Sequence, residues 1–171
     1  MQKKLRHRLS KDALSHISYD AYLTHRRWMA YALELARVAE NLGEVPVGAV
    51  IIDRRGNLIA EAANRKIRQQ DPTAHAEILA IRTATRARQN FYLPDCTLYV
   101  TLEPCPMCAG AIINSRLDLL VYGADDPKTG AIRTVANLPD SYCSNHCLKV
   151  LPGIMETSCR VQLQTWFSRQ R

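Results

Sequence analysis

Apolar and polar positions recur along the chain with two periods, and these periods predict where helices and strands lie. Residues 25–42 carry apolar side chains at helical spacing, which predicts a first helix that stops at Gly43. This apolar stripe consists of Trp28, Met29, Ala32, Leu35, Ala36, Ala39 and Leu42. Residues 47–53 and 58–64 flank a turn at 54–57, which predicts a hairpin whose first strand is buried on both faces.

The remainder of the chain alternates between the two periods. A polar loop is expected at 65–74, and no regular element is assigned to 124–147. Further helices are predicted at 74–89, 105–114 and 155–171, and further strands at 97–102, 119–122 and 148–151. This order predicts an α/β fold with three α-β-α layers, in which helices cover both faces of a mixed sheet.

Length and composition place the chain among ordinary globular domains. It has 171 residues, 47% hydrophobic and 23% charged, which excludes a disordered tail and a collagen-like fibre. The length is that of one domain with a sizeable core. The longest apolar run, 45–52, is much shorter than the roughly 18 residues that a membrane span needs, so no membrane partner is expected.

The formal net charge of +7 is carried by the two ends of the chain. Residues 1–11 hold five Lys and Arg and no acid, and residues 160–171 hold three and no acid. Residues 12–159 are nearly balanced, with 15 Lys and Arg against 16 Asp and Glu. We therefore divide the chain into a basic N-terminal arm, 1–24, and a domain, 25–171. The ends are either solvated termini or arms that contact phosphates.

Six cysteines in a chain of this length do not require a disulfide framework. The first 20 residues lack the apolar segment of a secretory signal, so a reducing cytoplasm is expected. An organelle transit peptide is the alternative interpretation of the basic start. In a reducing compartment, a closely spaced cysteine pair indicates a metal site or catalysis.

Two short motifs carry the candidate chemistry. His75-Ala76-Glu77 and Pro104-Cys105-Pro106-Met107-Cys108 both fall at predicted helix N-termini, where partial positive charge favours thiolates. Cys105 and Cys108 are three residues apart and share one helix face. Together with His75 they supply three ligands, the count typical of catalytic zinc with one position open for water.

Glu77 is predicted to be a catalytic acid and base. Zinc lowers the pKa of its bound water towards about 7, and a neighbouring carboxylate can then take that proton and deliver it elsewhere. Either motif alone is weak, since a lone Cys-x-x-Cys is also found in redox sites and structural zinc knuckles. The pair, His-x-Glu followed by Pro-Cys-x-x-Cys, is the established signature of zinc nucleobase deaminases.

The chain resembles the bacterial-type tRNA-specific adenosine deaminases of the cytidine deaminase-like superfamily. The matching stretches are EVPVGAVI (44–51), NR (64–65), DPTAHAEILA (71–80), LYVTLEPCPMCAGAII (98–113), KTGA (128–131), Asn145-His146 and Gly153-Ile154. The resemblance covers about 25–167. The sequence departs from the family pattern at Pro127 and in the segment 132–147. RNA contacts of the family are therefore not assigned to residues of that segment.

The resemblance implies a five-stranded mixed sheet, a homodimer and one Zn²⁺ per chain on His75, Cys105 and Cys108. It implies hydrolysis of the wobble adenosine of a tRNA anticodon to inosine, with Glu77 as proton shuttle and ammonia released. It also implies that Asn64 contacts the base and that Asp126 approaches the RNA. Without it, both residues are typical of turns.

The other polar residues near these motifs have plainer interpretations. Glu103 is expected to support the ligands or to cap a helix. His25 is expected at the surface, and Cys96 and Cys159 in the core. Cys143, His146 and Cys147 suggest a second metal site, but their spacing matches no zinc pattern.

Two alternatives remain. The first is a guanine or other free-nucleobase deaminase, which would carry the same metal site, although the DPTAHAE and KTGA matches argue against it. A riboflavin-pathway deaminase is disfavoured, because it would carry a different cysteine spacing after Glu-Pro-Cys. A zinc-stapled RNA-binding module without catalysis is the second alternative. Glu77 distinguishes it from an enzyme, because a structural zinc site has no use for that carboxylate.

Overall fold

The computed structural model describes residues 17–170. The helices are α1 (Tyr19–Asn41), α2 (Lys66–Gln69), α3 (Ala76–Arg88), α4 (Pro106–Asn114) and α5 (Glu156–Arg169). The strands are β1 (Gly48–Ile52), β2 (Leu58–Ala63), β3 (Thr97–Leu102), β4 (Leu119–Ala124) and β5 (Lys149–Pro152). None of the helices in 17–170 combines the length and apolar content that a bilayer span requires.

The five strands form one mixed sheet in the order β2-β1-β3-β4-β5. Strand β1 is antiparallel to both β2 and β3, while β3, β4 and β5 run parallel to one another. The predicted mixed sheet is therefore confirmed. Because β3 and β4 are parallel, the segments that follow them leave the sheet at the same end.

Helices cover both faces of the sheet, as the element order predicts. Ala49 and Ile51 of β1 belong to the core beneath α3 and α4, and Val50 and Ile52 belong to the core beneath α1 and α5. All five residues of β1 are buried, so the prediction of a strand buried on both faces is confirmed. Cys96 and Cys159 are buried in these cores, as expected.

The first helix begins earlier than its apolar stripe indicates. Ser18 is its N-cap, and the Ser18 hydroxyl accepts a hydrogen bond from the N–H of Ala21 at 3.2 Å. Residues 19–24, which were assigned to the basic arm, thus belong to α1. The basic segment 1–11 lies outside the described residues.

Two local predictions are wrong. The polar loop at 65–74 contains the short helix α2, which is held by the buried carboxylate of Glu44 through the N–H groups of Ile67 (3.1 Å) and Arg68 (2.8 Å).

His25 is half-buried rather than at the surface. Its Nδ1 pairs with the hydroxyl of Tyr99 at 2.9 Å, and burial lowers the pKa of its imidazole.

Gly48 sets the approach of α1 to the sheet. A Cβ at this position would overlap the carbonyl oxygen of Ala32 and lie 2.7 Å from the backbone nitrogen of Ala36. Both atoms belong to the helix backbone, so no side-chain rotation relieves the overlap. The Gly48→Ala substitution is expected to lower the free energy of unfolding by about 1–3 kcal/mol, the usual cost of overpacking.

Urea unfolding of the zinc-loaded protein measures this effect. Gly110→Ala in α4 is the matched control, because a Cβ there meets no atom within 4 Å. Removing a helical glycine should stabilise that variant by about 0.5–1 kcal/mol. Equal losses in the two variants would contradict the assigned role of Gly48.

Candidate metal centre and active site

The three predicted ligands meet at the N-termini of two neighbouring helices. His75 is the N-cap of α3, Cys105 is the N-cap of α4, and Cys108 lies in the first turn of α4. The Nδ1 atom of His75 lies 3.8 Å from Sγ of Cys105 and 3.6 Å from Sγ of Cys108. Within 17–170, these residues form the one His, Cys, Asp and Glu group close enough to share a metal ion.

The local sequence leaves both N-cap side chains available to a ligand. His75 and Cys105 have the extended backbone of N-cap residues, with ψ of 150° and 172°, but neither side chain makes an N-cap hydrogen bond. Pro106 occupies the first turn of α4, where a missing N–H costs nothing. The helix starts thus position the imidazole and thiol groups without using them as caps.

The donor set and its spacing fit zinc. Ligands held tetrahedrally at about 2.0 Å for nitrogen and about 2.3 Å for sulfur lie roughly 3.5–3.8 Å apart. The two nitrogen-to-sulfur distances, 3.6 and 3.8 Å, match this spacing. Two thiolates and one imidazole also match zinc's preference for sulfur and nitrogen, and they leave a fourth position for water.

The cysteine pair already favours a thiolate at neutral pH. Contact with the Cys108 thiol, and secondarily with His75, lowers the pKa of Cys105 to about 4 against the opposing effect of burial. The same contact raises the pKa of Cys108, so one proton is shared by the pair. The hydrogen bond to Cys105 raises the pKa of His75. Metal binding replaces these protons.

Glu77 lies beside the ligands and almost out of solvent. Its side chain is 4% exposed, and it interacts with Cys108 as well as with the charge on His75. Burial raises the pKa of the Glu77 carboxyl. A buried carboxylate next to a zinc-type ligand set has the placement that general acid and base catalysis requires.

Asn64 caps α3 in place of His75. The buried Asn64 side chain accepts a hydrogen bond from the N–H of Ala76 through Oδ1 at 3.1 Å. This contact fixes the amide plane beside the metal ligands. Within residues 17–170, the Nδ2 group of Asn64 donates no hydrogen bond, so it remains a donor for a ligand.

Asp126 is occupied by its own turn. One carboxylate oxygen accepts the N–H groups of Lys128 (2.9 Å) and Thr129 (3.2 Å), and the other accepts the Thr129 hydroxyl at 2.7 Å. These contacts match the plain interpretation of Asp126 as a turn residue. Its approach to RNA stays a prediction.

Cys143, His146 and Cys147 do not form a metal site among the described residues. The ring of His146 pairs with the backbone carbonyl of Leu117, and Cys143 and Cys147 are exposed. The spacing argument against a second zinc therefore agrees with the structure.

Sequence reasoning placed Lys66, with Arg65 and Arg68, in a basic loop near Asn64, but it missed the role of Glu44 and the effect of Lys66 on a metal ligand. The charge of Lys66 acts on His75 and opposes the rise in its pKa. Glu44 holds the helix that carries Lys66. The available signal was an acidic residue directly before the continuous apolar run 45–52. A carboxylate that is buried in such a place needs hydrogen-bond partners, because an unpaired buried charge is costly.

Comparison with known proteins gives the family. The family model for the cytidine and deoxycytidylate deaminase zinc-binding region matches residues 23–124. A tRNA-specific adenosine deaminase from Haemophilus influenzae is 52% identical over 145 residues, which are 85% of this chain and 84% of that protein. The chain belongs to this zinc-binding deaminase family and, within it, to the tRNA-specific adenosine deaminases.

Solved structures agree with this assignment. One from studies of A-to-I editing by tRNA:A34 deaminases at the wobble position of transfer RNA has a TM-score of 0.78 and 42% identity, covering 80% of this chain and 99% of that chain. Guanine deaminase from Nitrosomonas europaea has a TM-score of 0.68 and 29% identity, covering 82% of each chain. The fold is thus shared with deaminases of more than one substrate.

The metal centre predicts which cysteines hold zinc. Cys108→Ser should reduce bound zinc from one per chain to about a tenth or less after dialysis, because losing one of three ligands weakens a catalytic site severely. Elemental analysis of the purified protein measures the zinc content.

The double variant Cys143→Ser, Cys147→Ser is the control, since both of these thiols are exposed and outside the ligand group. It should retain one zinc per chain. Loss of zinc from the control, or two zinc ions in the unmodified protein, would contradict the assigned ligands.

Proposed function

We propose that the protein hydrolyses the wobble adenosine of a tRNA anticodon to inosine and releases ammonia. The observation that carries the reaction class is the placement of buried Glu77 against the three ligands His75, Cys105 and Cys108. Family membership and the 52% identical tRNA-specific adenosine deaminase support the substrate.

The ligand set and Glu77 divide the work of the reaction. Zinc, when bound to His75, Cys105 and Cys108, supplies the activated water that hydrolysis needs. The carboxylate of Glu77 takes one proton from the attacking water and delivers it to the 6-amino nitrogen, which leaves as ammonia, while the water's other proton ends on N1 of the inosine base. Burial of Glu77 keeps bulk water from competing for that proton.

Asn64 and Asp126 are proposed substrate contacts of different kinds. The amide of Asn64 is oriented by its bond to Ala76, which leaves Nδ2 to donate to an acceptor on the purine. Asp126 would act on the RNA chiefly by shaping the turn that presents Lys128 and Thr129.

A guanine deaminase is the second candidate, and one observation favours keeping it. The guanine deaminase from Nitrosomonas europaea shares the fold over 82% of this chain. The non-catalytic RNA-binding module is disfavoured, because a structural zinc site gives no reason to bury Glu77 beside its ligands.

The partner and the compartment follow from this proposal. A tRNA anticodon stem-loop is the expected macromolecular substrate, and the resemblance favours a homodimer. All six cysteines are free, which suits the reducing cytoplasm where tRNA is modified.

Replacing the proton shuttle should separate chemistry from binding. Glu77→Gln is expected to lower the rate of inosine formation by about 10²–10⁴-fold, the usual contribution of a positioned acid or base. Zinc content and RNA affinity should stay unchanged. Rapid-quench assays with an anticodon stem-loop, with elemental analysis alongside, measure these three quantities.

Glu34→Gln is the matched control, because Glu34 is an exposed residue of α1 that pairs with Arg37. It should retain the full rate. Undiminished inosine formation in Glu77→Gln would overturn the assigned role of Glu77.

A parallel substrate assay distinguishes the two candidate activities. The zinc-loaded protein is incubated with an anticodon stem-loop containing adenosine 34, with guanine and with cytidine, and ammonia release is measured. We expect release from the stem-loop at a rate at least about 10³-fold above that from guanine or cytidine. Release from guanine alone would assign the protein to the guanine deaminases.

A further inference from the structure

Glu103 is a buried carboxylate whose partners lie almost entirely in one distant loop. Its side chain is 1% exposed. It accepts hydrogen bonds from the N–H groups of Asp126 (3.1 Å), Ile132 (3.1 Å), Arg133 (2.8 Å) and Thr134 (3.0 Å). The hydroxyl of Thr134 donates a further bond. These five bonds occupy both carboxylate oxygens.

The loop in question, residues 125–134, is shaped around this carboxylate. At Gly130, a Cβ would overlap Oε2 of Glu103 and lie 2.6 Å from the carbonyl oxygen of Asp126. The neighbouring N–H of Ala131 donates to the carbonyl of Pro104 at 2.9 Å. The loop therefore packs on the Glu103–Pro104 segment, which leads directly into the ligand Cys105.

Other contacts within loop 125–134 complete its shape. The guanidinium of Arg133 forms a bidentate pair with Asp125, in which Nε donates to Oδ1 at 3.2 Å and Nη2 donates to Oδ2 at 2.9 Å, and it lies 5.8 Å from the ring centre of Tyr122. The tip carries exposed Lys128 and Thr129. The loop follows β4 and the ligand segment follows β3, so both lie at the carboxyl end of parallel strands, where α/β folds place their ligands.

Glu103 does not act on the metal ligands directly. Among residues 17–170 its side chain makes no hydrogen bond to His75, Cys105 or Cys108, and its partners lie 23 to 31 residues further along the chain. The carboxylate links the ligand segment to loop 125–134 and leaves the ligand set itself untouched.

We propose that Glu103 is a positioning residue for substrate: its carboxylate fixes loop 125–134 beside the metal centre, and the fixed loop forms one wall of the RNA-binding site. This inference rests on the proposed function. It predicts that disturbing Glu103 weakens the binding of the anticodon stem-loop without slowing the chemical step.

Glu103→Gln tests the proposal. The amide keeps the size of the side chain but turns an NH₂ group towards N–H donors, so at least one or two charge-assisted bonds are lost. We expect the KM and the Kd for the stem-loop to rise about tenfold or more, with kcat within about threefold and zinc unchanged at one per chain.

Thr134→Val removes only the hydroxyl bond in a side chain of the same shape. It should raise KM by about two- to fivefold in the same pattern, and it keeps the test decisive if Glu103→Gln fails to fold. Asp53→Asn is the matched control. Asp53 also organises a turn, through the N–H groups of Arg55 and Asn57 at 2.9 Å, but at the opposite end of the sheet.

The outcomes separate this inference from the proposed function. An unmodified protein that forms no inosine from the stem-loop contradicts the proposed function. An active unmodified protein whose Glu103→Gln and Thr134→Val variants keep its KM contradicts the inference alone. A fall in kcat or zinc content at constant KM would assign Glu103 to the metal centre, and an equal rise in KM for Asp53→Asn would reduce the effect to general destabilisation.

Discussion

The structure depends on one constraint: two helices must begin beside each other, and neither N-cap side chain may be used as the cap of its helix. His75 and Cys105 meet this requirement because neither caps its helix, and Cys108 joins them from the first turn of α4. The positive ends of two helix dipoles then converge on the thiolates. The capping role that His75 gives up passes to Asn64, which lies on the preceding strand connection and is thereby drawn into the site. One helix start thus positions both the ligand His75 and the side chain of Asn64, the proposed substrate contact.

Buried carboxylates organise the irregular segments around this point. Glu44 and Glu103 are each 1% exposed, and both are satisfied by backbone N–H groups rather than by cations. A buried charge without partners would cost several kcal/mol, so each carboxylate forces its segment into one arrangement. Glu44 holds α2, which carries Lys66, and Glu103 holds loop 125–134, which carries Lys128. Each acid therefore fixes the backbone of a segment that carries a cationic side chain, Lys66 in one case and Lys128 in the other.

The sequence predicted what local patterns encode and missed what distant partners stabilise. The strands, the main helices and the zinc ligands were predictable because periodicity, proline positions and ligand spacing are local signals. Helix α2 was not, because its N–H groups are satisfied by Glu44, which is 23 residues away. The start of α1 was missed because residues 19–24 were grouped with the basic arm, although the Ser18 cap marks the beginning of the helix. The partner of His25 is Tyr99 on β3, 74 residues later, which no local pattern reveals.

The fold by itself does not select a substrate, since a guanine deaminase shares it as well as the tRNA:A34 deaminases. Selection must therefore come from groups around the site. In this chain α2 and loop 125–134 are candidates for this role, and the backbone of each is held by a buried acid. A wall fixed in advance lowers the entropy cost of ordering a binding site. For a free base, which makes few contacts with the protein, this saving is small. For an anticodon loop, which makes a larger contact, the saving is greater, in agreement with the proposed RNA substrate.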